Sequence, residues 1–243
     1  MPSLRDIQES FFHELRTVIL PDWGYIENIT GEALTSLGSL AYSFGNGNIA
    51  YANIQTGDID PSGVAVYDAA RRLELSEYSV DYIDSQVTLN ATPSGAVTSD
   101  YSYYTINTLD AFPDNEAFET TDLPIVTVEF TDRVRNNFAI AQRGSWWVVG
   151  FFIDIFARNE GMRLDLMDRL QVSLSKWLRI TDFSDGYPLS YDGTINTDFS
   201  IDDQFSTWIK QVDPKTASKV TVPYPTDKEK FRARIPGTIK YVQ

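Results

Sequence analysis

The segment Trp146–Ala157 constrains this chain more than any other. It is an almost continuous run of Trp, Val, Phe and Ile, broken by Gly150 and a single charge, Asp154. It is far too short to span a bilayer as a helix. Its lack of polar alternation suits a central strand covered on both faces.

Flanking patterns place this strand in a sheet. Leu123-Pro124 opens a β-branched run, Ile125–Phe130, and Val134–Gln142 alternates, with Val134, Asn136, Phe138 and Ile140 on one face. A helix is predicted over about 159–179, N-capped by Asn159. Its stripe is Leu166, Met167, Leu170, Leu174, Trp177 and Leu178, with Arg163, Asp165, Asp168 and Arg169 on the other side. A first helix is predicted over 4–20. Leu4, Ile7, Phe11, Leu15 and Val18 share a face, Ser3 with Asp6 resembles a capping box, and Pro21 ends it. Phe231–Tyr241 reads as a terminal strand interrupted by Pro236-Gly237.

Residues 45–105 differ in character. The turn signal Gly45-Asn46-Gly47-Asn48 precedes short alternating strands: Tyr78, Val80 and Tyr82; Val87 and Leu89; then Val97, Ser99, Tyr101, Tyr103 and Thr105. The fold class expected is α+β: an antiparallel sheet flanked by two helices, built from residues 1–44 and 106–243, with a small all-β domain inserted at 45–105. Residues 107–122, acidic and irregular, read as the linker back to the core.

Composition narrows function by exclusion. The net charge is −14, which disfavours non-specific binding to nucleic acid. There is no cysteine, and the one histidine, His13, falls on the first helix as a half-exposed residue. Nucleophilic triads and histidine or thiolate metal centres therefore have no basis. Asp182, Asp185, Asp192, Asp198, Asp202 and Asp203 cluster in a polar stretch, but Asp182-Phe183-Ser184-Asp185-Gly186 does not match a calcium loop. In a chain with 34 acidic residues this is read as turn-capping and solvation. No catalytic residue, cofactor, metal site or membrane segment is expected.

Charge is unevenly placed. Residues 210–243 are basic, and Lys228, Lys230, Arg232 and Arg234 recur at every second position. An extended strand would show all four on one face and Phe231, Ala233 and Ile235 on the other. The expectation is an assembly clamp: a strand that adds to a sheet edge of an acidic neighbour, another copy included; the alternative is a solvated tail. Tyr103-Tyr104 forms a second candidate interface, as protein contact or as a glycan-stacking pair.

The segment Leu123-Pro124-Ile125-Val126-Thr127-Val128, then Phe151-Phe152-Ile153-Asp154-Ile155-Phe156, then the helix Met162–Leu178, resembles the tail-terminator proteins of long-tailed bacteriophages. Those proteins open with a helix like Asp6–Leu20, continue with a strand beginning "LP", a hairpin, an "I-D-I-F" strand and a long helix, and close with a strand similar to Phe231–Tyr241. The resemblance covers residues 4–20 and about 120–178. Residues 45–105 depart from it and look like β-domains of other virion proteins. It implies a non-enzymatic virion protein, made in the host cytoplasm, that forms a hexameric ring capping the tail tube. The implied partners are further copies of itself, the tail tube protein and the head–tail connector or stopper, with sheath protein as a further candidate. Another head–tail connector, a head-closure or adaptor protein, is the alternative within the same class. A glycan-binding β-module and an enzyme using the acidic stretch are the alternatives outside it.

Overall fold

The computed structural model describes residues 4–51, 63–109, 121–137, 145–174, 177–181, 183, 186–190, 192–196, 205–214, 217–221, 223, 226 and 228–242. The fold is mixed α+β and dominated by strands, in three sheets with few helices. The chain divides into two compact units. Unit 1 comprises 1–12, 106–181 and 205–243; unit 2 comprises 13–105 and 182–204.

Unit 1 is built on strands β10 (Ile125–Asn137), β11 (Ser145–Phe156) and β15 (Arg232–Val242). The apolar run is β11, and it is central: β10 lies along one side and β15 along the other, both antiparallel. The sheet has seven strands in the order β12-β13-β15-β11-β10-β9, with β14 also on β15. It is not wholly antiparallel, because β9 (Asn107–Leu109) pairs parallel with the start of β10. Part of the expected linker is thus an edge strand; residues 110–120 lie outside the described residues.

Alternation sorts the residues of β11 and β15 between two faces. Val149, Phe151, Ile153 and Ile155 stand beside Ile239, Gly237, Ile235 and Ala233, and all are buried. Helix α1 (Leu4–Glu14) packs on this face, with the Phe11 ring 5.9 Å from Phe130 and 5.6 Å from Phe151. Helix α3 (Glu160–Leu174) lies against β11, β13 (Phe205–Pro214) and β15. Burying each such Ile or Phe contributes about 1.5–3 kcal/mol.

Several expectations are corrected. The second helix stops at Leu174, and Trp177 and Leu178 begin strand β12 (Trp177–Thr181). Arg163, assigned to the polar side, is buried and bonded to Glu160. The first helix does not keep one register. Residues Leu15–Ile19 form a π-helical turn before the short α2 (Leu20–Asp22), and the wider turn rotates the later side chains. Ile19 and Leu20 are therefore buried, while Val18 is exposed. His13 is buried, not half-exposed. Pro236 does not interrupt β15. On the side away from β11, β13 pairs from Gly237 onward and β14 (Ser218–Lys219) pairs at Ala233 and Arg234, so Pro236 falls between the two partners, where a missing ladder donor costs least.

Unit 2 runs from His13 to Thr105 and takes in 182–204 as well, so it does not begin at 45. Unit 2 takes in β1 (Ile26–Ala33), β2 (Thr35–Gly38) and β3 (Ala41–Ser43), because each pairs with a strand of the same unit: β1 with β8 (Val97–Tyr104), and β2 through β3 with β7 (Gln86–Leu89). Its two four-stranded sheets run β1-β8-β4-β5 and β2-β3-β7-β6, where β4 is Ala65–Asp68, β5 is Arg71–Arg72 and β6 is Tyr78–Asp81. Val66 and Tyr101 from one sheet and Val80, Val87 and Leu89 from the other share a single core, to which Leu189 and Ile195 contribute. Residues 45–105 are thus not an independent insert.

A test of β11–β15 contact lies at Gly237. A Cβ there would fall on the Phe151 ring, so Gly237→Ala is expected to destabilise by about 1–3 kcal/mol. Gly63→Ala, which meets nothing within 4 Å, should stay within about 0.5 kcal/mol. Urea unfolding of both variants checks this.

Candidate functional site

The basic C-terminal stretch is the strongest sequence candidate, and its lysines and arginines part company in the structure. Lys228 and Lys230 lie in a turn that ends at Phe231, not on the strand. Lys228 Nζ donates to the Thr121 carbonyl at 2.6 Å. Lys230 is exposed, with Nζ 5.7 Å from the centre of the Phe231 ring.

Arg232 and Arg234 stand on β15, where register sets them beside Phe156 and Asp154. The Asp154 side chain is 2% exposed. Arg234 Nη2 donates to its Oδ2 at 2.6 Å, and Arg234 Nε donates at 3.0–3.1 Å. Arg232 Nε donates to Oδ1 at 3.1 Å. Each guanidinium also lies over a ring, Arg232 5.2 Å from Phe156 and Arg234 4.9 Å from Phe152. Two cations share one carboxylate, and Glu229 approaches Arg232 at 3.9 Å as a further acid. The hydrogen bond to Asp154 pushes the Arg234 guanidinium above its ordinary range, so it remains charged at all working pH.

This arrangement overturns the clamp expected of Lys228, Lys230, Arg232 and Arg234. A strand that adds to another sheet must have a free edge. β15 has strands on both sides, and its two arginines are spent inside unit 1 on Asp154. The alternation itself was read correctly: Ala233 and Ile235 are buried on the face opposite the arginines. The missed partner was Asp154, visible in the sequence as the lone charge of an apolar run but about 80 positions away.

Tyr103 and Tyr104 are also separated. Tyr104 is buried in unit 2, and burial pushes its hydroxyl well above the ordinary value. Tyr103 is half-buried, and its hydroxyl donates to Glu27 Oε2 at 2.6 Å. Adjacent strand residues point to opposite faces, so the pair makes no flat stacking platform. Nearby, the Tyr101 hydroxyl donates to Glu32 Oε2 at 2.5 Å and accepts from Asn46 Nδ2 at 3.0 Å. Burial, with Glu32 adding, pushes Tyr101 up to about 12.

Of the acidic cluster, Asp182, Asp185, Asp198, Asp202 and Asp203 lie outside the described residues. Asp192 caps a turn. Its Oδ1 accepts from the Thr194 hydroxyl at 2.7 Å and amide at 3.1 Å, bonds that hold its carboxyl below the usual range. Among the described residues no group of three acidic or histidine side chains is placed to hold a metal ion. No helix among them is long and apolar enough to cross a membrane. Comparisons with models of known families, with curated proteins and with solved structures yield no match.

Two outcomes are expected. Asp154→Asn leaves the half-buried guanidiniums of Arg232 and Arg234 without their carboxylate and should cost about 1–3 kcal/mol, whereas Asp154→Leu with Arg232→Met and Arg234→Met should cost much less, both read by urea unfolding. Tyr101 contributes stability that is complete below its ordinary value of 10.0 and is lost as pH rises from there through about 12. Tyr101→Phe should therefore flatten part of the alkaline fall in melting temperature between those values.

Proposed function

We propose that this chain is a structural subunit of a bacteriophage neck: a member of a ring that caps the tail tube and joins it to the head–tail connector. The observation that carries this reading is the order of elements in unit 1. Helix α1, then the Leu123-Pro124 strand β10, its hairpin partner β11 with Ile153-Asp154-Ile155-Phe156, helix α3 and closing strand β15 follow the order found in tail-terminator proteins. What supports a role in surfaces is where the charge goes: Arg232 and Arg234 are used on the buried Asp154 to hold the sheet together.

On this reading the partners are further copies of the chain, the tail tube protein and the connector or stopper. The work is association, so no residue performs chemistry. Unit 2, outside the resemblance, offers further surface for contact with neighbouring virion proteins.

The test is to incubate the purified chain with tail tubes, sediment them, and average electron-microscope images of the pellet and of the chain alone. A six-fold ring at the tube end is the expected result. A twelve-fold ring would move the assignment to a connector-adaptor. A chain that stays monomeric and does not sediment with tubes would overturn the assignment.

A further inference from the structure

The turn Gly45-Asn46-Gly47-Asn48 carries the chain of unit 2 from one sheet to the other. β3 ends just before it, at Ser43, and Ile49 just after it bridges to Tyr103 of β8. The turn is fastened by side chains. The Gly45 amide donates to Glu32 Oε2 at 3.0 Å, and the Asn48 amide donates to Ser85 Oγ at 3.0 Å. Asn46 Nδ2 donates to the Tyr101 hydroxyl at 3.0 Å, and that hydroxyl gives its own proton to Glu32 Oε2. Asn46, Tyr101 and Glu32 thus form a chain in which each donates to the next.

Asn46-Gly47 is the one Asn-Gly step in the sequence. In such a step the following backbone nitrogen reaches the side-chain carbonyl carbon with least hindrance, because glycine has no side chain and a permissive backbone. Gly47 is exposed, and among the described residues its N–H donates to no acceptor. No hydrogen bond has to break before this nitrogen attacks. Asn46 is half-buried, and its carboxamide is held through the nitrogen that would leave. The Gly47 nitrogen gives up its proton and forms a bond to Asn46 Cγ. The Cγ–Nδ2 bond breaks, and ammonia departs with the proton. Water then opens the cyclic imide at either carbonyl, leaving an aspartate or an isoaspartate at position 46. Water is the only co-reactant.

The product reverses the hydrogen bonding. A carboxamide nitrogen donates, whereas a carboxylate only accepts. Tyr101 has a single hydroxyl proton, already given to Glu32, and it keeps that proton at neutral pH. Two carboxylates would then compete for one donor, and like charges sharing a site disfavour each other.

We propose that Asn46 is a site of spontaneous deamidation in the folded chain, and that the carboxylate it leaves unfastens the turn from Tyr101 and Glu32. The change runs one way, because the ammonia is lost to solvent. It adds a negative charge to a chain already at −14.

Full-length protein is incubated folded at neutral and at mildly alkaline pH, and the peptide carrying Asn46 is followed by mass spectrometry. The expected result is conversion to the aspartyl and isoaspartyl forms, faster at the higher pH because the Gly47 nitrogen must lose its proton. Gly47→Ala is the control. Its Cβ would meet only Ser85 Oγ, at 3.9 Å, so the fold is kept while the methyl group obstructs ring closure. Conversion should be lost in that variant over the same period. The converted chain, separated by its extra charge on an anion exchanger, should melt at a lower temperature than the unconverted chain. Asn46→Asp should reproduce the drop. Asn46→Asp with Glu32→Gln, which leaves one carboxylate on the hydroxyl, should recover most of it. An Asn46 that converts in urea but stays intact in the folded chain would overturn the assignment of the site. Conversion with no fall in melting temperature would overturn the unfastening of the turn.

Discussion

A carboxylate in the middle of a sheet must be matched. Asp154 sits on the central strand at 2% exposure, in a position that water barely reaches. Removing a carboxylate from water costs several kcal/mol even after relaxation, and only close, well-oriented donors return it. Arg232 and Arg234 supply them, and both come from the far end of the chain. Satisfying Asp154 therefore requires β15 to lie beside β11, which in turn positions β13 and β14. The same contact fixes register. A slip of one residue would turn both arginines toward Ile153, Ile155 and the ring of Phe11, and Ala233 and Ile235 toward the carboxylate. The triad's main consequence is a single allowed alignment of the sheet, whatever its net free energy.

The two faces of this sheet have different fates. One is sealed by isoleucines, phenylalanines and α1, with Gly237 leaving room for the Phe151 ring. The other is closed around Asp154 and Phe156 and becomes half-buried toward Phe152, Val148 and Lys240. Unit 2 follows another economy. Its strands are short, and its turns are tied by carboxylates: Asp68 accepts from the amides of Ser94 and Gly95, Asp81 from those of Ile83 and Asp84, and Asp100 from Gly31, which sits at φ +66° in the β1 bulge. Part of the acidity of the first half of the chain is therefore the chemistry of turns and bulges in a sandwich with many short connections.

Much of the architecture was legible in the sequence. The apolar run announced the central strand, because no amphipathic element has that composition. Helix α3, the hairpin strands and the alternation of Tyr78–Leu89 followed from local periodicity, which depends on residues within a turn or a pleat of one another. The break at 45 was placed wrongly because a glycine turn signal marks a bend and carries no information about which strands pair across it. The π-helical turn at Leu15–Ile19 escaped for a related reason: its sequence keeps the spacing of an ordinary helix, and only burial of Ile19 and Leu20 shows the rotation.

The sequence by itself determined most of the elements and most of the buried faces, since each of these rests on local composition. Only the tertiary structure decided what the charges do. Lys228, Lys230, Arg232 and Arg234 look alike in sequence, spaced every second residue, and an exposed basic strand was the natural reading. Folding separates them by placing the first two in a turn and the last two against a carboxylate about 80 residues away. Tyr103 and Tyr104 divide in the same way, one toward Glu27 and one into the core. The physical reason is range. Periodicity is set by the backbone over a few residues, whereas the partner of a charge or the cover of a strand edge is chosen by pairing between distant segments, which no local pattern records.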